Sequence, residues 1–265
     1  MPVIQGLGGT FDSVADAYAR LRPGYPDGLY QTIFRCCPLG PESHAVEVGI
    51  GGGQATLPIL RTGCRVTAVE PGEQFSVLCR EKFRDCPGFT VRTGMFEEAE
   101  FPPASCDLVY AASSFHWVPE DIGYRKVYSM LKTGGVFARF ANHPDRSGNA
   151  PVLSEEIDRL YRLYYDPFYH RTSTPDAPYG RPQARERAML ASRYGFIDVR
   201  WALFHRTRSY TAEGYMALLG TYSDHIALEE GARHALLTGI GEAIDRNGGV
   251  MTLQDTIDLQ IARKP

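Results

Sequence analysis

Residues 44–60 read HAVEVGIGGGQATLPIL, in which Gly49, Gly51, Gly52 and Gly53 fall between an apolar run and a second apolar pattern. HAVEVG has the composition of a buried strand and ATLPILRT that of a helix, so the glycines occupy a strand-to-helix turn. Glycine permits a tight turn there and lets a ligand touch the backbone, at the strand's carboxyl end where open α/β sheets bind nucleotides. Glu70 closes the next apolar run, RVTAVE, where an acid can accept hydrogen bonds from both ribose hydroxyls. An adenosine ligand is therefore expected. A dinucleotide fingerprint, G-x-G-x-x-G, needs a third glycine where Gln54 stands, and Glu47 lies two residues before the first glycine. A carboxylate there repels a pyrophosphate but can hold, directly or through water, the ammonium of a methionine moiety.

Working outward, short apolar strands alternate with helical stretches. EQFSVLCREKF and IGYRKVYSMLK read as helices, and FTVRTG, CDLVYAAS and GVFARFAN as strands. Such alternation predicts an α/β fold of βαβ units, a mostly parallel sheet with helices on both faces. Upstream, SVADAYARL and DGLYQTIFRCC are helical and are separated by RPGYP. After about residue 145 the pattern changes. APVLSEEIDRLYRLYY, PQARERAMLASRYG and residues 211–247 are helical, DPFYHRTSTPDAPYGR is a proline-rich aromatic loop, and FIDVRWALFHRTRSY and VMTLQDTIDLQIARK alternate like strands. Late helices of this kind commonly cap a ligand crevice, and acceptor specificity is expected there.

At 265 residues and 43% hydrophobic, the chain can bury a full core as one domain with a cap. No apolar run approaches the roughly 20 residues of a membrane span, and MPVIQGLGGTFDSV lacks a basic segment followed by an apolar one. A cytoplasmic protein without a membrane partner is expected. The net charge of −3 gives no general attraction to nucleic acid, and the arginine run RPQARERAML reads as a solvated helix face, with a nucleic-acid or acidic-substrate patch as the alternative. Six cysteines without a C-x-x-C pair read as reduced, mostly buried thiols, and no metal site is expected.

These residues resemble the class I S-adenosylmethionine-dependent methyltransferases of small-molecule type, over nearly the whole chain. VEVGIGGGQAT resembles the family's E/D-x-G-x-G-x-G, read as Glu47, Gly49, Gly51 and Gly53, and Glu70 matches its ribose acid. TGMFEEAEFP resembles the adenine loop, with Met95 where many relatives carry an aspartate, leaving backbone at Met95 and Phe96 or the Glu97 carboxylate to serve. CDLVYAASSFHWV resembles the fourth-strand motif, placing Ala112, Ser113 and Trp117 by the cofactor and His116 beside the methyl group. MLKTGGVFARF resembles the following helix-turn-strand, and YARLRPGYP a segment folding over the methionine end through Tyr18 and Arg22.

The resemblance implies S-adenosylmethionine as cofactor and a Rossmann-like sheet with an antiparallel last strand. Its single methyltransferase domain would comprise a helical N-terminal lid (1–43), a cofactor-binding core (44–145), cap segments with a late strand (146–248) and a final strand (249–265). The resembling group includes trans-aconitate-type and natural-product dithiol methyltransferases. The expected acceptor is a small metabolite or natural product of secondary metabolism, methylated on oxygen or sulfur, with nitrogen or carbon as the alternative. A base is needed only for a protonated nucleophile, and the candidates are His116, His143 and His225, the last near Tyr222 and Asp224. A monomer or homodimer is expected. Two readings of other classes remain beside this one. A nicotinamide-dependent oxidoreductase leaves SSFHW unexplained, and a non-catalytic cofactor-binding module leaves the cap unexplained.

Overall fold

The structure is a computed structural model, and it describes residues 14–170 and 178–265. Part of the expected lid (1–13) and of the aromatic loop (171–177) lies outside the described residues. The chain enters through α1 (Ala15–Leu21) and α2 (Asp27–Cys36) and then alternates as its periodicity requires: β1 (His44–Val48), α3 (Thr56–Leu60), β2 (Arg65–Glu70), α4 (Glu73–Lys82), β3 (Phe89–Thr93), β4 (Cys106–Ala112), α5 (Glu120–Met130) and β5 (Leu131–Asp145). The later part comprises α6 (Pro151–Tyr164), α7 (Arg181–Met189), β6 (Ile197–Tyr210), α8 (Ala212–Leu219), α9 (Ser223–Ile226), α10 (Glu230–Arg246) and β7 (Met251–Arg263).

The seven strands form one sheet in the order β3-β2-β1-β4-β5-β7-β6. The first five run parallel, and β7 is antiparallel to both neighbours, as the last strand was expected to be. The order reverses between β1 and β4, so their carboxyl ends border the crevice where open sheets bind ligands. Pairing with β7 down to Asp145↔Gln254 carries β5 beyond the apolar run GVFARFAN that marks it in the sequence.

Leu108, Tyr110, Ala138 and Leu259 face α2 and α3, while Val109, Phe137 and Ala262 face α5. Fully burying one such large apolar side chain contributes roughly 1.5–3 kcal/mol, so these two layers fix the sheet on which the site rests. A third cluster joins α6, α8 and α10 through Leu153, Ile157, Leu218 and Ile240. The long helical stretch 211–247 is broken into three helices, with Gly220 ending α8. Helix α7 departs from the cap. Its small inward residues Ala184 and Ala188 let it lie on β6 and β7, so one segment of the expected cap covers the sheet instead. Arg181 and Arg185 of its arginine run are exposed, but Arg187 turns inward, which corrects the solvated-face expectation at that position.

Burial pushes the thiols of Cys64 and Cys79 up, to about 11 and about 12, which makes both inert as nucleophiles at neutral pH. Among the described residues no helix is long and apolar enough to cross a membrane. Nor does any cluster of histidine, cysteine and acidic residues among them suit a metal ion.

Candidate cofactor and acceptor site

The glycine turn is built by contacts that only glycine allows. Gly49, at φ +69°, donates its N–H to Val69 O at 2.8 Å, and a Cβ there would lie 2.6 Å from Ser114 Cβ. Gly53, at φ +71°, packs against the Phe83 ring, 2.7 Å from where a Cβ would stand. Between them the Gly51 N–H donates to Glu70 Oε2 at 2.8 Å, while Glu70 Oε1 accepts from the Gly72 N–H at 2.9 Å. Glu70 is 6% exposed. The acid expected at a ribose thus also braces the turn.

Glu47 is fully buried at the end of β1. Its Oε2 accepts from Thr56 Oγ1 at 2.7 Å and from Tyr110 OH at 2.8 Å, but Oε1 has no hydrogen-bond partner. Burial pushes its pKa up to about 7, against the lowering effect of the two hydroxyls. A sealed carboxylate oxygen without a partner is costly. An ammonium would satisfy it, and this orphaned atom is where the chain fits the methionine end of S-adenosylmethionine.

From the described part of the expected lid, Tyr18 and Ala19 lie on this turn. A Cβ on Gly51 would meet the Tyr18 ring at 3.5 Å, and Tyr18 packs edge-on to Phe75 with centroids 5.2 Å apart. Arg22 donates from Nε and Nη2 to Oγ1 and O of Thr221, both at 3.0 Å, and its guanidinium lies 3.8 Å over the Tyr222 ring. It therefore joins the N-terminal segment to the cap. In the adenine loop Met95 is 45% exposed and Phe96 is a core side chain. The loop is held by Lys126 Nζ, which donates to Glu97 O at 2.9 Å. An open hollow of about 700 Å³ lined by Glu97–Pro102, Lys126, Ser129 and Met130 adjoins that loop.

At the end of β4, Ser113 sits at φ +55°, a conformation that non-glycine residues adopt at a cost. It is held there by its N–H donating to Phe140 O at 2.8 Å, while its Oγ shares a hydrogen bond with Tyr25 OH at 2.9 Å. Ser114 Oγ donates to Val48 O, tying β4 to the glycine turn. The one-turn 3₁₀ helix Phe115–Trp117 follows, with Phe115 buried against Phe137 and the His116 ring 5.0 Å from Trp117. Ala112, Ser113, His116 and Trp117 therefore follow one another at the carboxyl end of β4.

Residues 46–138 match the family described as methyltransferase domain. An uncharacterized methyltransferase of Schizosaccharomyces pombe is 24% identical over 244 residues, covering 91% of this chain and 90% of its own. A candidate type II methyltransferase from Anaeromyxobacter dehalogenans superposes with a TM-score of 0.60 at 24% identity, over 91% of this chain and 97% of that one. Phosphoethanolamine N-methyltransferase 2 of Haemonchus contortus, bound to S-adenosylmethionine, superposes at 0.52 with 18% identity, over 96% of this chain and 57% of its own. The chain is a class I S-adenosylmethionine-dependent methyltransferase.

Beyond the cofactor side, the methyltransferase carries a second polar group that the glycine motif does not announce. Desolvation and the charges of Arg187, Arg139 and His143 push His116 down to about 4. With its pKa pushed that far down, the imidazole is neutral at pH 7. His143 Nε2 lies 3.2 Å from Asp258 Oδ1, and its ring stacks on Tyr179 with centroids 3.6 Å apart. His225 is placed elsewhere. It is 3% exposed in the cap, with Nδ1 2.9 Å from Asp224 Oδ1 and Nε2 2.9 Å from Tyr161 OH. Tyr165, Tyr169 and Asp224 close the same buried network. Sequence reasoning missed Arg139, Arg187, Asp258 and Gln260. The available signal was a charge or amide inside otherwise apolar strand runs, ARF at 138–140 and DLQIA at 258–262.

Proposed function

We propose that this methyltransferase methylates an oxygen or sulfur of a small metabolite or natural product at the carboxyl ends of β4 and β5. Gly49, Gly51, Gly53 and Glu70 hold the adenosine, with the Met95–Glu97 backbone and carboxylate and Ala112, Ser113 and Trp117 around it. Glu47 receives the ammonium, and Tyr18 and Arg22 close the lid segment (1–43) over the cofactor beneath the cap (146–248). Bound S-adenosylmethionine supplies an electrophilic methyl group on a sulfonium that is its own leaving group. The chain's task is then to orient the nucleophile and keep water from the crevice.

The observation that supports the oxygen-or-sulfur reading is that two guanidinium groups, Arg139 beside Phe115 of the β4 turn and Arg187 at 3.9 Å from Asp258, share a single carboxylate, with Arg139 Nε left without a partner among the described residues. An ammonium acceptor meets repulsion there, whereas a carboxylate, thiolate or phenolate is attracted. A neutral imidazole with so low a pKa is a weak base. His116 is accordingly a hydrogen-bonding group that orients an acceptor arriving largely deprotonated, and His143, tied to Asp258, acts beside it. His225, with both ring nitrogens occupied in the cap core, is structural. The test is a panel of thiols, phenols, carboxylic acids and matched amines incubated with methyl-labelled cofactor. Label in ethers, thioethers or esters is expected, and label confined to amines or carbon would overturn the reading.

A further inference from the structure

Several arginines in the later part of the fold meet a carboxylate. Arg208 grips Asp255 through Nε at 2.6 Å and Nη2 at 2.8 Å, Arg206 reaches the same acid at 2.9 Å, and Arg146 pairs with Asp158 at 2.9 Å. Arg139, in the middle of β5, does not meet one among the described residues. It is 8% exposed, its Nη1 donates to Tyr124 OH at 2.8 Å, its guanidinium lies 5.6 Å and 5.9 Å from the Phe115 and Tyr124 ring centroids, and its Nε is sealed without a partner among the described residues. Directly across the ladder Gln260, 5% exposed, leaves Oε1 unpartnered as well.

The nearby acid cannot supply the missing charge. All four lone-pair positions of Asp258 are taken: Oδ1 accepts from the Ala141 N–H at 2.9 Å and meets His143, while Oδ2 accepts from Tyr179 OH at 2.6 Å and from the Gln260 amide. Arg187, reaching in from α7, approaches Asp258 only to 3.9 Å. Two guanidinium groups therefore share one already saturated carboxylate among the described residues. The gap lined by Tyr124, Phe137, Arg139, Ala188 and Gln260 measures about 10 Å³ and holds no more than a water.

A buried guanidinium with one neutral hydrogen bond is poorly compensated. Planar, multidentate oxyanions are the ligands that arginine pairs suit. We propose that Arg139 and Arg187, with His116 and Tyr179 at the rim, form the binding site for an anionic group of the acceptor, a carboxylate or a phosphate. The site rests on the proposed function, because it sits beside the β4 turn where the acceptor is placed. The anionic group is either the methylated oxygen itself or the handle that orients a neighbouring nucleophile.

The test titrates the protein, saturated with S-adenosylhomocysteine at constant ionic strength, with inorganic phosphate, benzoate and uncharged benzamide, while the arginine Nε–Hε resonances are followed by NMR. At least one of the anions is expected to shift the Arg139 and Arg187 signals saturably, with benzamide inert. The arm that responds says whether phosphate or carboxylate is the preferred chemistry. Arg187→Gln, on an outer helix rather than in the core, should weaken that anion about tenfold or more, with unchanged S-adenosylhomocysteine affinity. No saturable shift with either anion, or equal affinity in Arg187→Gln, overturns the site. Failure to bind S-adenosylhomocysteine would instead strike the proposed function, and the anion titration reads independently of turnover.

Discussion

At the carboxyl ends of β1 and β2 the sheet presents two buried acids, Glu47 and Glu70, whereas Arg139 within β5 and Arg187 on α7 stand against the single acid Asp258 of β7. Glu70 is anchored by two backbone N–H groups and Glu47 by two hydroxyls, so the first region is organised before any ligand arrives. Each region also keeps sealed atoms without partners among the described residues: a carboxylate oxygen of Glu47 in the first, and a guanidinium nitrogen and an amide oxygen in the second. The contrast teaches how one crevice handles two reactants. The acidic half suits a cofactor that carries positive charge, and the basic half suits an acceptor of the opposite sign, which brings nucleophile and sulfonium together.

The comparison is broken most severely at the glycine turn. Gly49→Ala forces an alanine to φ +69° with its Cβ 2.6 Å from Ser114 Cβ. It should cost about 2–4 kcal/mol of stability and abolish detectable S-adenosylhomocysteine binding, as read by denaturant melts and calorimetry. A stable, cofactor-binding variant would mean that the turn is not built as described. Glu70→Ala should weaken S-adenosylhomocysteine by about 1.5–3 kcal/mol for each charged hydrogen bond lost, with some loss of stability because the Gly51 and Gly72 N–H groups lose their acceptor. Unchanged affinity would leave Glu70 as a turn brace alone.

His116→Ala sharpens the other half. An imidazole pushed down to about 4 is a poor proton acceptor, so the variant should lose about tenfold in kcat/KM rather than the 10²–10⁴-fold of a positioned base. Cofactor affinity should stay intact. A loss beyond a thousandfold that is rescued at high pH would restore the base role. The smallest effect is expected at Arg22→Ala, which removes two hydrogen bonds to Thr221 and the contact with Tyr222. About 1 kcal/mol of cofactor affinity should be lost through a looser lid, and faster proteolysis within the N-terminal segment would accompany it.

The two regions also differ in how far the sequence discloses them. The glycine turn, Glu47, Glu70 and the β4 motif are local. Each depends on residues adjacent in the chain at the end of one strand, so spacing alone assembles them. The basic half is not local. Arg139, Arg187 and Asp258 lie on β5, α7 and β7, and they meet only because β7 inserts antiparallel between β5 and β6 while α7 settles on the sheet. His225 illustrates the converse. Its neighbours in TYSDHIAL suggest chemistry, yet Tyr161, 64 residues earlier in the chain, takes its second nitrogen and seals it in the cap. The helical periodicity of residues 181–189 located α7 but could not say which face it buries, because alanines and arginines alternate along it.

The acidic half is tested most directly through Glu47. Its folded pKa, about 7, stands above the ordinary carboxylate value of 4.5, so the free protein keeps Glu47 protonated below pH 7. By the same linkage the free protein loses stability from this group as pH rises from the carboxylate range through 7. An ammonium bound at Oε1 favours the ionised form. Calorimetry of S-adenosylhomocysteine binding at pH 6, in two buffers of different ionisation enthalpy, should therefore show proton release. Affinity should rise by up to about tenfold per pH unit toward 7 and then level off, and Glu47→Gln should abolish both effects. Binding without proton release, or a pH dependence that survives Glu47→Gln, would contradict the assignment of the buried acid to the cofactor's positive end.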